Sequence, residues 1–205
     1  MCGLIAIIDC TKQGFYQQDV ESLFMMLQMN SFRGMDSTGV AGLRRDKNID
    51  VMKVVGPPTE LLQLKQWKTF SNRVVQDYRA VLGHGRFATK GDVTPRNAHP
   101  FQRGDITLIH NGTLTNFHEL KNNYKTPETF EVDSDVCANL IHDNGAEAVS
   151  MFEGAFAFIW HDAKDNKIRA IRNIERPDLV VFSIVPYEGE CSFEHGDSFG
   201  SIVMN

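Results

Sequence analysis

Hydrophobic positions change their period repeatedly along this chain, and the changes divide it into elements. It opens with Cys2-Gly3-Leu4-Ile5-Ala6-Ile7-Ile8, a β-branched-rich apolar run without alternation, which predicts a strand buried on both faces. Val20, Leu23, Phe24 and Leu27 then recur at helical spacing on one face, with Gly34 placed to stop that helix. Val40 to Leu43 and Ile49 to Val55 flank the turn-forming Asp46-Lys47-Asn48 and predict a hairpin. Pro57-Pro58 breaks the chain before a helical stretch from Glu60 to Lys68. Ala80 to Phe87 and Ile106 to His110 read as strands, separated by the loop Gly91 to Pro100.

Helical spacing returns over Phe117 to Tyr124 and over Ser134 to His142, where Val136, Cys137, Leu140 and Ile141 face inward and Asp133 or Ser134 can act as the cap. Ala155 to His161, the turn Asp162 to Asn166, Lys167 to Asn173 and Leu179 to Val185 predict a closing antiparallel meander. Strand runs at both ends with helices between them imply sheets packed against helical layers. The expectation is a single domain over residues 1–205, with residues 186–205, weakly periodic, as a divergent or loosely attached tail.

Composition narrows the classes of function. A formal net charge of -5 argues against a basic surface that gains affinity by displacing counterions from nucleic acid, and a small polar substrate fits better. No run approaches the roughly 18 apolar residues that span a bilayer, and the N-terminus lacks the features of a signal peptide, so the expectation is a cytoplasmic protein without a membrane partner. Cys2, Cys10, Cys137 and Cys191 show no paired spacing of a zinc ribbon or redox motif.

Of the four, Cys2 has a position with chemical meaning, because removal of Met1 would expose it as the N-terminal residue. Its thiol would then stand beside a free α-amine whose reference pKa of about 8 lets it accept a proton near neutrality. A buried strand cysteine is the plainer reading of the same residue. Asn111-Gly112 is either a tight hairpin turn or a pair of donors, side-chain amide and backbone N–H, aimed at a developing oxyanion. Arg86, at the end of a glycine-punctuated strand, suits a bidentate grip on a carboxylate, with a surface ion pair as the alternative. Asp133 suits an ammonium group or a helix cap, and His99 and His110 read as structural.

Taken in order, Met-Cys-Gly-Leu-Ile, Arg33 to Gly39, Gly83 to Thr89, Asn97 to Phe101, His110-Asn111-Gly112 and Val132 to Asp135 make a set that resembles the glutaminase domain of class II glutamine amidotransferases. The resemblance runs from Cys2 to about Pro177, with Arg33 to Gly39 most similar to the hexosamine-forming branch, and Glu153 to Phe158 with Arg172 to Pro177 similar to the domain's closing strands. It implies an α+β fold, the four-layer αββα sandwich of two antiparallel sheets between helical layers known as the N-terminal-nucleophile (Ntn) hydrolase fold. It also implies roles: Cys2 as nucleophile towards the amide of L-glutamine, Asn111 and Gly112 as the oxyanion hole, Arg86 with Thr89 on the substrate carboxylate, and Asp133 on its ammonium. Neither a metal nor an organic cofactor is implied.

The resemblance departs at Lys90, where many relatives carry histidine, and after Pro177. The known enzymes attach this domain to a synthase that consumes the ammonia, and 205 residues leave no room for one, so a separate ammonia-accepting synthase is the expected partner. The alternative expectation is a non-catalytic glutamine-binding regulatory subunit.

Overall fold

The computed structural model describes residues 2–10, 13–124, 129–173, 191–196 and 199–204. They form two compact units. The first takes in Ala88 and the described residues before it, together with Val93–Pro100; the second takes in Thr89–Asp92 and the described residues from Phe101 onward.

In the first unit, β1 (Gly3–Ile8), β2 (Ser37–Arg44), β3 (Ile49–Val55) and β4 (Tyr78–Arg86) form an antiparallel sheet in the order β1-β4-β2-β3. Helix α1 (Gln17–Ser31) buries Val20, Leu23 and Leu27, as the spacing predicts, and Asp19 starts it by accepting the Tyr16 backbone N–H at 2.6 Å. These side chains meet Val40, Met52, Val81, Phe70, Val74 and Tyr78 in one apolar core. Three expectations need correction. β1 is half-buried rather than buried on both faces, because it lies at the sheet's edge. The helix expected over Glu60 to Lys68 is two helices, α2 (Thr59–Gln63) and α3 (Trp67–Gln76), because Leu64 takes an extended backbone, ψ 132°, between them. Gly34 does not end α1, whose C-cap is Phe32; it lies against the end of β4, where an added Cβ would sit 2.4 Å from the Arg86 carbonyl carbon.

The second unit is a sheet in the order β5-β6-β7-β8-β10-β9, formed by β5 (Phe101–Arg103), β6 (Ile106–Leu114), β7 (Gly154–Asp162), β8 (Lys167–Asn173), β9 (Cys191–Gly196) and β10 (Phe199–Met204). Helices α4 (Phe117–Asn122) and α5 (Asp133–Asn144) bury Leu120, Val136, Cys137, Leu140 and Ile141 against Leu108, Phe156, Phe158 and Trp160 of the sheet. Here β6 does not stop at His110: it continues through Leu114, with Asn111 opposite Ala157 and Gly112 opposite Phe156, so the Asn-Gly pair is strand and not turn. The cap of α5 is Val132, and Asp133 is its first residue, so neither Asp133 nor Ser134 is the cap. Within the stretch expected as a tail, β10 pairs with β8 and β9 with β10. The strand expected over Leu179 to Val185 lies outside the described residues.

Candidate active site

The candidate residues fall on both units. In the first, Cys2 immediately precedes β1, and the pairing of Gly3 with Gly85 brings it to the same end of the sheet as Arg86, the last residue of β4. The Cys2 Sγ lies 3.4 Å from the backbone N of Phe87 and 3.5 Å from its carbonyl oxygen. Arg33 donates from Nε to the Cys2 carbonyl at 3.1 Å, which fixes the backbone on which the thiol is carried. Gly3 leaves room for the Asn30 side chain, whose amide would have to move from a Cβ placed 2.4 Å away.

Arg86 is 4% exposed. Its backbone is held from the far side by Asp36, whose N–H donates to the Arg86 carbonyl at 3.0 Å while its carboxylate accepts the Ala88 N–H at 2.7 Å. Asp36 thus clamps the chain on either side of Phe87, next to the thiol. Its role and that of Arg33 were not assigned from the sequence; the signal was their place in the Arg33 to Gly39 motif. His84 and His99 stack with ring centroids 3.8 Å apart, both buried, and Gly39 lets the His99 carbonyl approach, an added Cβ standing 1.9 Å from that oxygen.

In the second unit, Asn111 is 6% exposed in β6. Gly112 cannot carry a side chain: a Cβ would lie 2.1 Å from the Ala155 carbonyl oxygen, 2.7 Å from the Phe156 Cα and 2.8 Å from the His110 Nε2. Asp133 is buried at the start of α5, where Oδ2 accepts the Leu114 N–H of β6 at 3.1 Å and Oδ1 accepts the Ser134 N–H at 2.9 Å. Two carboxylate oxygens provide about four acceptor positions, of which these two bonds and the Ser134 hydroxyl at 3.4 Å use three. Thr89 is exposed and takes part in none of these hydrogen bonds, while Lys90 reaches the Leu114 carbonyl at 3.4 Å and lies 5.1 Å from the Phe117 ring centroid.

Burial pushes the Cys137 thiol well above its ordinary pKa, so it is an inert core residue, whereas Cys2 and Cys10 are half-buried. Among the described residues, no group of three or more His, Cys, Asp and Glu side chains is arranged to hold a metal ion. No helix of the described residues is long and apolar enough to cross a membrane.

The first unit thus carries a thiol at a strand terminus with Arg86 at the same sheet end, and the second carries the Asn111-Gly112 pair and Asp133. A family model described as a glutamine amidotransferase domain matches residues 68–174, just over half of the chain, and the chain belongs to that family. Similar proteins include the isomerizing glutamine–fructose-6-phosphate aminotransferase of Sulfolobus acidocaldarius, 32% identical over 174 residues that cover 78% of this chain and 28% of that enzyme. The enzyme of the same name from Oceanobacillus iheyensis is 30% identical over 195 residues, covering 88% of this chain and 30% of the relative. The chain therefore spans less than a third of the length of these relatives.

Two solved structures share its fold. The glutamine phosphoribosylpyrophosphate amidotransferase from B. subtilis complexed with ADP and GMP superposes with a TM-score of 0.57 at 20% identity, over 98% of this chain and 41% of that one. A structure described as the allosteric regulatory enzyme of purine biosynthesis does so with a TM-score of 0.62, again at 20% identity, over 99% of this chain and 41% of its own. The likeness bears out the α+β, Ntn-hydrolase fold class expected from the sequence.

Proposed function

We propose that this chain hydrolyses L-glutamine to glutamate and ammonia through a thioester on Cys2. The observation that carries the reading is the placement of the Cys2 thiol at the strand terminus, against the Phe87 backbone and at the same sheet end as the buried Arg86. After removal of Met1, the α-amine of Cys2, directly or through one water, takes the thiol proton as sulfur bonds to the side-chain carbonyl carbon of glutamine. The oxyanion that forms accepts hydrogen bonds from the Asn111 amide and the Gly112 N–H. The carbon–nitrogen bond breaks as the proton passes to the departing ammonia, and water then cleaves the thioester to glutamate and the free thiol.

Recognition falls to charge. Arg86, with Thr89, binds the α-carboxylate, and Asp133 binds the α-ammonium. A ligand that lacks either charged end forgoes one of these two charge-assisted contacts, which is the physical basis for preferring free glutamine to a peptide amide.

The ammonia serves a synthase that lies outside these residues, which we take to be a separate protein. Support comes from exposed apolar residues: Phe87, whose backbone meets the thiol, is 51% exposed, and Phe32 and Met35, which flank Arg33 and Gly34 in sequence, are 85% and 60% exposed. Such exposed apolar side chains suit burial under a partner that keeps ammonia from being protonated in water.

The test is intact mass before and after treatment with a diazo-ketone analogue of glutamine, with the modified residue located by peptide mapping. Loss of Met1 and one adduct on Cys2 are expected. Retained Met1 without an adduct would refute the nucleophile and favour a regulatory glutamine-binding subunit.

A further inference from the structure

Helix α5 holds strand β6 at two points, and the two points bracket Asn111 and Gly112. On one side the Asp133 carboxylate accepts the Leu114 N–H at 3.1 Å. On the other, the Ser134 Oγ lies 2.9 Å from the His110 Nδ1 and 3.4 Å from the Asp133 Oδ1. His110 is 2% exposed and Ser134 3%, and the imidazole packs on Phe158 with ring centroids 4.5 Å apart, so neither side chain is free to turn away. The other ring nitrogen, Nε2, faces the Gly112 backbone, 2.8 Å from where a Cβ would stand.

We infer that Ser134 is a positioning residue for the oxyanion hole, acting through His110, and that it links occupancy of Asp133 to the geometry of Asn111 and Gly112. The inference rests on the roles proposed above for Asn111, Gly112 and Asp133. With the Ser134 hydroxyl donating to Asp133, the contact to His110 is completed by the Nδ1–H donating to the Ser134 oxygen. Each donor is used once, and the arrangement holds the imidazole in a single tautomer with Nε2 towards Gly112. A substrate ammonium arriving at Asp133 engages the same carboxylate that anchors both ends of this bracket. Recognition of the α-amine and alignment of the two oxyanion donors are therefore one event, and a glutamine analogue without its α-amine should lose turnover as well as affinity.

The assay is steady-state glutamate formation by the full chain, with Cys2 reactivity followed separately by iodoacetamide alkylation and peptide mapping. Ser134→Ala is expected to lower kcat by about 10- to 100-fold, part of what a lost oxyanion donor costs, with KM for glutamine within about twofold. Cys2 alkylation should stay at the wild-type rate, because the thiol and its base are untouched. Ser134→Thr, which keeps the hydroxyl, should restore kcat to within about threefold. In an Asn111→Ala background, Ser134→Ala should cost less than about threefold more, since a donor that it positions is already gone. A wild-type kcat in Ser134→Ala, a change confined to KM, failure of threonine to rescue, or losses that simply multiply in the double variant would each overturn the inference. A wild-type chain with no glutaminase activity and no Cys2 adduct would instead sink the proposed function beneath it.

Discussion

Gly112→Ala tests the candidate site most directly, because the structure gives both the cause and the size of its effect. The added methyl would lie 2.1 Å from the Ala155 carbonyl oxygen and 2.7 Å from the Phe156 Cα, where ordinary contact begins near 3.4 Å. Both neighbours are backbone of β7, the hydrogen-bonded partner of β6, so no flexible side chain is available to move aside. The third neighbour, the His110 ring at 2.8 Å, is boxed in by Phe158 and Ser134. The strands must part locally by roughly an ångström, and a displacement of that size at a reacting centre can cost about 100-fold in rate. If the Gly112 N–H is lost altogether as a donor to the oxyanion, the cost reaches about 3 to 4 kcal/mol, or 10²- to 10³-fold in kcat.

The assay is glutamate release under saturating glutamine, together with a thermal melt and the rate of Cys2 alkylation. The expected result is a kcat reduced by about 10² to 10³ with alkylation of Cys2 preserved. Gly145→Ala is the control: that glycine, at the end of α5, has φ 73° with nothing within 4 Å of an added Cβ. It should lower stability by about 1 kcal/mol through backbone strain alone and leave kcat unchanged. A folded Gly112→Ala protein with kcat within about threefold of wild type would refute the assignment of the oxyanion segment.

Arg86→Ala should raise KM for glutamine by about tenfold or more while affecting kcat less, as expected of a carboxylate clamp; steady-state kinetics with an unchanged KM would count against it. Iodoacetamide added to the folded protein should leave Cys137 unmodified and label it only on unfolding, since burial keeps that thiol protonated, and mapping of native-state adducts checks this. Asp50 gives a pH prediction: burial opposes its ionisation, but hydrogen bonds from Arg44, Tyr78 and Arg73 outweigh it and hold the carboxyl below the usual range. A depressed folded pKa contributes stability above the unfolded value of about 3.9 that is lost as pH falls through the folded one, so Asp50→Asn should melt below wild type at pH 7 and the gap should close below about pH 4. A gap that stays constant from pH 7 to pH 3 would show that the carboxylate charge is not the source.

Much of the fold could be read from hydrophobic spacing because the amphipathic elements behave as isolated ones would. Helix α1 buries Val20, Leu23 and Leu27, and α5 buries Val136, Leu140 and Ile141, at the positions the period requires. The expectations that missed are those where a partner strand or helix outweighs local preference. Asn111-Gly112 has the composition of a turn, yet β7 runs alongside and pairs with it through Gly154, opposite Leu114, so ladder hydrogen bonds decide the conformation. Leu64 has no sequence signal for a break, but an extended residue there separates Leu61 of α2 from Phe70 and Val74 of α3, which share one core. β5, with Phe101, Gln102 and Arg103, is too short to show any period.

The candidate site was legible in its parts and not in its bonding, for a related reason. Burial of Asp133, Ser134 and Asp135 at the start of α5 contradicts their polarity, and no apolar periodicity foretells it. Such burial is tolerable only where each group has a partner, and the partners, Leu114 and His110 for the first two and Arg103 for Asp135, come from β6 and β5, some 19 to 32 residues away in sequence. The residues that contradict their local propensity are therefore the ones that join elements, and Asp133 and Ser134 do so on either side of Asn111 and Gly112. In the proposed role β6 presents the Gly112 N–H, and the Asp133 and Ser134 side chains fix the strand on either side of it. That role accounts for a polar triplet opening a helix whose other buried residues are mostly apolar, and it makes Ser134, rather than a further apolar contact, the place where a small change should separate folding from catalysis.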